Sequence, residues 1–428
     1  MPAFLTEFMN ELHAERERLK AEPDADDFSA CIEHFWLPFH FHEDFCGDEV
    51  LAVDSSSAKH SLGDGSIFYV VRALALSANR KYKRVSVGHE YSPNFKDLPL
   101  LGRLREHLEH LVALDALKDG FEGFILIDGS LFGRLSHLPK ETDFVKNRAL
   151  MVDYFEVLSE FLDAARRSSV PVVGVSKESR TSFFRTFLLA KILETAGVEQ
   201  EFRHFLIRSA VEGGSSAVFA LRRAEEELDE GVKRLFRAFL LQRRPDFHLI
   251  LRYARSKNET GCTTPLLLGT KPRFRSELEA MRKDPVGFLR RRFPISALDG
   301  GFLERAKGVV ESLERLPAIV SFHVLPALND TPMRIDVPAW FFGINKTLSD
   351  VRFPEDLVVC ENYEQLEEIL RLISASYCGL ENYNIWLSAV DSAVKLRKDV
   401  FEAVYLRKFE EIMGIEATAR GERRVKFP

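Results

Sequence analysis

Apolar and polar positions change period several times along this chain, and each change predicts an element. Residues 1 to 22, MPAFLTEFMNELHAERERLKAE, set apolar side chains at helical spacing among many charges, and the acidic stretch EPDADDF closes that amphipathic helix. The apolar run of EVLAVDSSS ends at Asp54, which predicts a strand and then a polar turn. Residues 67 to 76 predict a second strand, and KRVSVGHEY alternates as a third. Through DLPLLGRLREHLEHLVALDALKDG, Leu101, Leu104, Leu108 and Leu111 recur at helical spacing, with Gly120 as the stop. FILIDGSLFG, residues 124 to 133, is a short apolar run that ends at Asp128 and turns through Gly129. A helix over about 143 to 168, a strand VPVVGVS ending near Ser176, and a helix from about Thr181 follow. Three consecutive strands ahead of alternating helices and strands predict a mixed sheet rather than a doubly wound one.

Residues 200 to 300 differ. LRRAEEELDEGVKRLFRAFLLQRRPDFHLILRYARSKNETG and KPRFRSELEAMRKDPVGFLRRRFP are rich in Arg and Lys with scattered Phe and Tyr, a pattern that suits solvated helix faces or a nucleic-acid groove equally. PMRIDVPAWFFG, residues 332 to 343, predicts a further strand. NYNIWLSAVDSAVKLRKDVFEAVYLRKFEEIMG predicts a long helix or a helix pair. The resulting division is a helical N-terminal arm (1–47), a first part of an α/β core (48–200), a mainly helical basic insertion (201–315), and a closing part of the core with terminal helices (316–428).

Composition narrows the chemistry. A chain of 428 residues with 46% hydrophobic content supports two or three domains and a sizeable core. The net charge of -6, from 59 basic and 65 acidic residues, means that any nucleic acid must be bound in a local groove. Five scattered cysteines (Cys31, Cys46, Cys262, Cys360, Cys378) argue against a zinc knuckle or a disulfide framework. No apolar stretch has membrane-spanning length and the N-terminus is not a signal peptide, so a cytoplasmic protein without a membrane partner is expected.

The candidate chemistry lies in repeated acids. Asp128 alone reads as a turn residue capping its own backbone, but Asp54 stands in the same setting, an apolar strand, an acid, then small residues. If the two strands are parallel neighbours, both carboxylates leave the same sheet edge and repel unless a cation lies between them. The intervening helix carries Glu106 and Glu109. Glu109 lies nearer the leucine stripe and is the expected third acid, with Glu106 as the alternative. Such oxygen-rich sites suit magnesium or manganese, which activate water and stabilise the leaving oxygen of a phosphodiester. By fold-level analogy, this order of elements resembles the layout of ribonuclease H-like nucleases, and that resemblance implies a further ligand on a late helix, where Asp391 is available. Lys177 and Arg180, after the VGVS strand, are candidates to hold a phosphate, although Ser176 followed by solvated cations also reads as a helix start. The His40–Asp44 stretch lacks a second ligand pair, and Gly269, Thr270 and Lys271 lack the first glycine of a P-loop. GxSxG and dinucleotide fingerprints are absent.

Taken in order, AVDSSS, the acidic helix, LIDGSL, VSKESR, MRIDVP and NYNIWLSAVDSAVKL resemble the NurA nucleases over about residues 48 to 398. The resemblance implies an RNase H-like mixed sheet flanked by helices, a homodimer, and manganese-dependent (or magnesium-dependent) DNA cleavage, as a 5'-3' exonuclease or an endonuclease. It also implies work in DNA end resection beside a hexameric HerA-type ATPase. Carried over by residue, Asp54 and Asp128 match the metal-binding aspartates, Glu109 or Glu106 the helix glutamate, Lys177 the SK motif and Tyr383 the C-terminal tyrosine. Ser56, Ser130 and Arg180 join Tyr383 as the expected substrate-binding set. Two departures stand out: the first motif has Ser55 where the family has glycine, and Val390–Asp391 replaces a terminal Ala-His. An aspartate can ligate a hard metal but cannot act as an imidazole acid. The alternatives are a nuclease-fold subunit that has lost catalysis and serves as a DNA channel or ATPase-binding protein, and a phosphohydrolase acting on small substrates.

Overall fold

A computed structural model of the chain describes residues 4–20, 28–41, 49–91, 97–242 and 244–415. His42, Glu43, Asp44 and Cys46 lie outside the described residues. The strands are β1 (Trp36–Pro38), β2 (Val50–Ser61), β3 (Ser66–Leu76), β4 (Lys81–Tyr91), β5 (Phe124–Asp128), β6 (Val172–Ser176), β7 (Gly261–Thr263), β8 (Leu266–Leu268), β9 (Ile319–Leu325), β10 (Met333–Pro338) and β11 (Val358–Val359). They join one mixed sheet in the order β1-β7-β9-β10-β6-β5-β2-β3-β4, with β8 beside β9 and β11 beside β8. β2, β3 and β4 are antiparallel; β2, β5 and β6 are parallel; β10 returns antiparallel to both β6 and β9. Each parallel step needs a crossover, supplied by helix Asp97–Lys118 before β5 and helix Leu150–Arg167 before β6.

The period-2 alternation of side chains sets what each face meets. Val50 and Ala52 of β2, Phe124 and Leu126 of β5, and Val173 and Val175 of β6 share a core with Ile335, Val337 and Phe322, closed by helices Tyr363–Ser376 and Ile385–Val394. The alternate residues Leu51, Val53, Ile125 and Ile127 are equally buried on the other face, where helix Asp97–Lys118 packs on β2, β3 and β4 and helix Leu150–Arg167 packs on it. Burial on both faces explains why β5 reads as an unbroken apolar run. A one-residue slip of β5 would turn Phe124 and Leu126 out of their core and carry Asp128 to the wrong face, so the register of the acid is tied to that of the core.

The expected strands and helices are present, with differences that have local causes. The helix expected from about 143 begins at Leu150, because the segment before it is drawn onto the β3–β4 hairpin. Glu90 accepts the Lys146 backbone N–H at 2.8 Å, and Asn147 Nδ2 donates to the Tyr69 hydroxyl at 2.8 Å. The strand expected over 332–343 stops at Pro338 and becomes a short 3-10 turn, Ala339–Phe342. Strand β9 and helix Tyr363–Ser376 were not anticipated. The C-terminal stretch is a helix pair: Ile385–Val394, and a second from Lys398 to Met413 whose Phe401, Leu406 and Phe409 pack on Leu62, Phe68 and Val70.

Contacts divide the chain into two compact units, residues 37–179 with 254–428, which carries the sheet, and residues 1–36 with 180–253. The second unit is helical: Leu5–Ala14, Arg16–Lys20, Ser29–Glu33, Phe183–Thr195, Gln200–Glu212, Gly214–Glu227, Glu230–Gln242 and the start of Asp246–Lys257. Buried Asp246 accepts the backbone N–H groups of Phe184 and Arg185 at 3.1 and 2.8 Å and so caps the Phe183–Thr195 helix. The sequence-based insertion, 201–315, runs across both units, since residues 261–268 form β7 and β8 of the sheet. Among the described residues no helix is long and apolar enough to cross a membrane.

Candidate active site

Val53 pairs in parallel with Ile127, so the next residues on each strand, Asp54 and Asp128, stand side by side. By alternation both continue the Val50–Ala52 and Phe124–Leu126 face and look toward helix Ile385–Val394. That helix is held over the strands at its last turn. Arg72 of β3 donates to the carbonyls of Val394 and Lys395, each at 2.6 Å, and the Leu396 N–H donates to Ser56 Oγ at 2.8 Å. At its start the buried Asn384 accepts the Leu387 N–H and donates to Ser376 Oγ.

The two acids differ in backbone. Asp128 ends its strand, and Gly129 follows at φ +113°, a conformation that glycine adopts cheaply. Asp54 is the fifth residue of a 12-residue strand: no turn follows, and Ser55 and Ser56 continue the ladder opposite Ala73 and Arg72. This corrects the expected strand end. A polar run on a long hairpin resembles a turn in sequence, because one side of the hairpin faces solvent. It also removes the puzzle of the missing glycine, since Ser55 is in extended strand conformation and needs no positive φ.

Asp54 is only 5% exposed, and burial, then the charges of Glu109 and Asp128, push its carboxyl up to about 7. Arg105, 4.0 Å away, offsets this only in part. Asp128 is more open and has Lys177 Nζ at 3.3 Å; the same ammonium lies 3.9 Å from the centre of the Tyr383 ring. Burial, then the charges of Asp128, Asp54 and Asp391, hold the Tyr383 phenol well above its ordinary range. Tyr383 therefore keeps its proton at any working pH.

Behind the sheet, Ser55 points away from Asp54 and donates to Glu109, which also pairs with Arg134; Glu109 and Arg134 are both nearly fully buried. Arg134 further donates to the Asp128 carbonyl at 3.1 Å, and Arg105 donates to Ser55 Oγ at 3.1 Å. The helix acid nearer Asp54 is thus Glu109, and it is anchored by a buried cation. Glu106 is occupied elsewhere, accepting from Arg103 at 2.8 Å, His137 at 2.9 Å and the Tyr154 hydroxyl at 2.9 Å. Burial alone would raise Glu106, but the His137 hydrogen bond and the charges of Arg134, His137 and Arg103 hold it well below the usual range. A carboxylate depressed in the folded state stabilises the fold above its unfolded value, here about 4.5, and loses that contribution as pH falls below it. Urea midpoints should therefore fall steeply below pH 4.5 in the wild type and less steeply in Glu106→Gln; parallel acid limbs would refute this role.

Ser130, expected to touch substrate, is used within the fold. It accepts the Gly133 N–H as the helix cap and donates to Asp336 at 2.7 Å. Asp336, fully buried, also accepts from Arg334 (Nε at 3.1 Å, a terminal nitrogen at 3.0 Å), Ser321 at 2.8 Å and the Phe132 N–H at 3.2 Å. Arg334 reaches Ser179 Oγ at 3.1 Å. Sequence reasoning passed over this pair, though a signal existed: Arg334 and Asp336 are two charges on one face of the apolar strand MRIDVP. Lys177 lies at Asp128 and Asp391 is on the helix that packs over β2, whereas Arg180 is exposed and belongs to the helical unit. Among the described residues no three His, Cys, Asp or Glu side chains converge to hold a metal ion by themselves. What fits a hard cation is the Asp54–Asp128 pair, a donor set that magnesium-type ions complete with water and phosphate oxygens.

Fold and site together define a mixed α/β protein with paired aspartates on adjacent parallel strands. Its architecture is similar to that of the NurA nuclease from Sulfolobus solfataricus, with a TM-score of 0.53 at 14% identity over 96% of this chain and 97% of that one. A structure of NurA bound to dAMP and manganese matches at a TM-score of 0.41 and 14% identity over 93% of each chain. The NurA domain model matches residues 48–396, and the chain belongs to the NurA family. A search of curated proteins gave no match.

Proposed function

We propose that this chain is a metal-dependent nuclease that adds water across a phosphodiester bond of DNA at Asp54 and Asp128. The observation that carries the reading is the parallel pairing of Val53 with Ile127, which places the next residue of each strand, Asp54 and Asp128, side by side. Strands lie about 4.8 Å apart, and two like charges at about 5 Å repel by roughly 3 kcal/mol at an effective dielectric near 20. Burial first, and then the charges of Glu109 and Asp128, raise the Asp54 carboxyl. Asp54 and Asp128 would hold a divalent cation, which would supply charge neutralisation and an activated water. Asp54 and Asp128 are its ligands in this reading, with Asp391 as a flanking acid, while Glu109 is held behind the sheet by Ser55 and Arg134. Lys177, which is exposed, is able to turn from Asp128 to a phosphate oxygen and place positive charge where it builds up during attack. Tyr383, held protonated, can donate a hydrogen bond to the same phosphate.

Family membership supports the finer reading, a homodimeric enzyme acting on DNA ends in double-strand break resection beside a hexameric HerA-type ATPase. The replacement of a terminal histidine by Asp391 motivates one competing reading, a non-catalytic DNA-channel or ATPase-binding subunit. Digestion of labelled single- and double-stranded DNA decides between them. Cleavage is expected with manganese or magnesium and none in EDTA; no cleavage with either ion would overturn the nuclease reading.

A further inference from the structure

A second concavity lies within the sheet unit, away from the aspartate face. It has a volume of about 590 Å³ and is lined by helix Asp97–Lys118, the 136–144 segment, Met151 and residues 271–274 and 292. That volume suits a small-molecule ligand. Its floor is apolar: Leu100, Phe144, Met151 and Phe274 line it and are each largely buried. Its rim is cationic, with five Lys and Arg side chains against Glu141 and Asp143.

Most of that charge is already assigned. Arg103 pairs with Glu106 and Arg292 with Glu277. Glu141 spends its carboxylate on the N–H groups of Ile295 and Ser296, at 3.0 and 2.8 Å, and on Ser296 Oγ at 2.6 Å. Lys140 and Arg273 are exposed at the rim, and among the described residues neither has an acidic partner. Burial, then the charge of Arg334, lowers the Lys271 ammonium.

We propose that this cavity binds a nucleoside phosphate, the base against the apolar floor and the phosphate between Lys140 and Arg273. An apolar ligand would leave the cations unanswered, and a bare phosphate would leave the floor unused. The site needs no divalent metal, so it is separable from the aspartate pair. Calorimetric titration of the full chain with AMP in EDTA tests it. One-to-one binding is expected, weakened about tenfold or more by Lys140→Glu with Arg273→Glu, since two charge-assisted hydrogen bonds are lost. Inorganic phosphate should bind about tenfold more weakly than AMP, and Asp128→Asn should leave AMP affinity within about twofold. The proposal is overturned if AMP does not saturate, or if the double charge reversal, checked for an unchanged melting temperature, leaves affinity intact. It is equally overturned if phosphate matches AMP, or if Asp128→Asn abolishes binding and so places the nucleotide at the aspartate pair.

Discussion

Asp128→Asn is expected to reduce manganese-dependent DNA cleavage by at least about a hundredfold, more than the loss typical of an outer-sphere partner of a metal. Asparagine keeps the size of the side chain and its place at the end of β5, so the change removes charge and little else. The loss should appear in kcat at saturating manganese, because the missing carboxylate is needed in the transition state as well as for binding the ion. Asp54→Asn should act in the same direction. It should also remove a carboxylate that burial, then the charges of Glu109 and Asp128, disfavour, so the metal-free protein gains stability near neutral pH while losing activity. The sign follows from the raised value: the folded state holds a proton that the unfolded chain releases from about pH 4, so ionising Asp54 costs stability between about pH 4 and 7. Cleavage assays paired with urea denaturation read both effects. Retention of a third or more of wild-type cleavage in either variant would remove that residue from the mechanism.

Asp336→Ala should destabilise the sheet unit by about 3–5 kcal/mol, the usual cost of leaving one partner of a buried ion pair uncompensated. The environment justifies the upper part of that range. Asp336 is 0% and Arg334 3% exposed, and the same carboxylate satisfies Ser130, Ser321 and the Phe132 N–H. Truncation leaves a buried guanidinium and frees Ser130, which caps the turn after Asp128, so the aspartate site should loosen with the fold. Replacing both charges, Arg334→Met with Asp336→Leu, should cost less than the single change, because no unpaired charge remains. Urea midpoints of the three proteins test this; a loss under about 1 kcal/mol for Asp336→Ala would show that water reaches the site.

Most of the sheet was legible because its signals are local. FILID, VVGVS and the alternation of KRVSVGHEY state their own conformation, and the leucine spacing states the helix between them. Strand β9 is harder to read, because Ser321 and His323 interrupt the apolar run of IVSFHVL. The late start of helix Leu150–Arg167 was hidden because what delays it is a pair of contacts with Glu90 and Tyr69, far away in sequence.

The site divides in the same way. The order of Asp54, a helix glutamate, Asp128 and then Lys177 is legible along the chain, because each is announced by the apolar run or helical stripe beside it. Which of these groups meet depends on how the strands and helices pack. The parallel register of β2 and β5 put the aspartates side by side, and the face of β2 set Ser55 and Glu109 behind them. A buried arginine claimed Glu109, while Glu106 was drawn to His137 and Tyr154. These outcomes depend on pairing and burial between residues dozens of positions apart, where the energies that select a partner come from desolvation and neighbouring charge and leave no periodic trace along the chain.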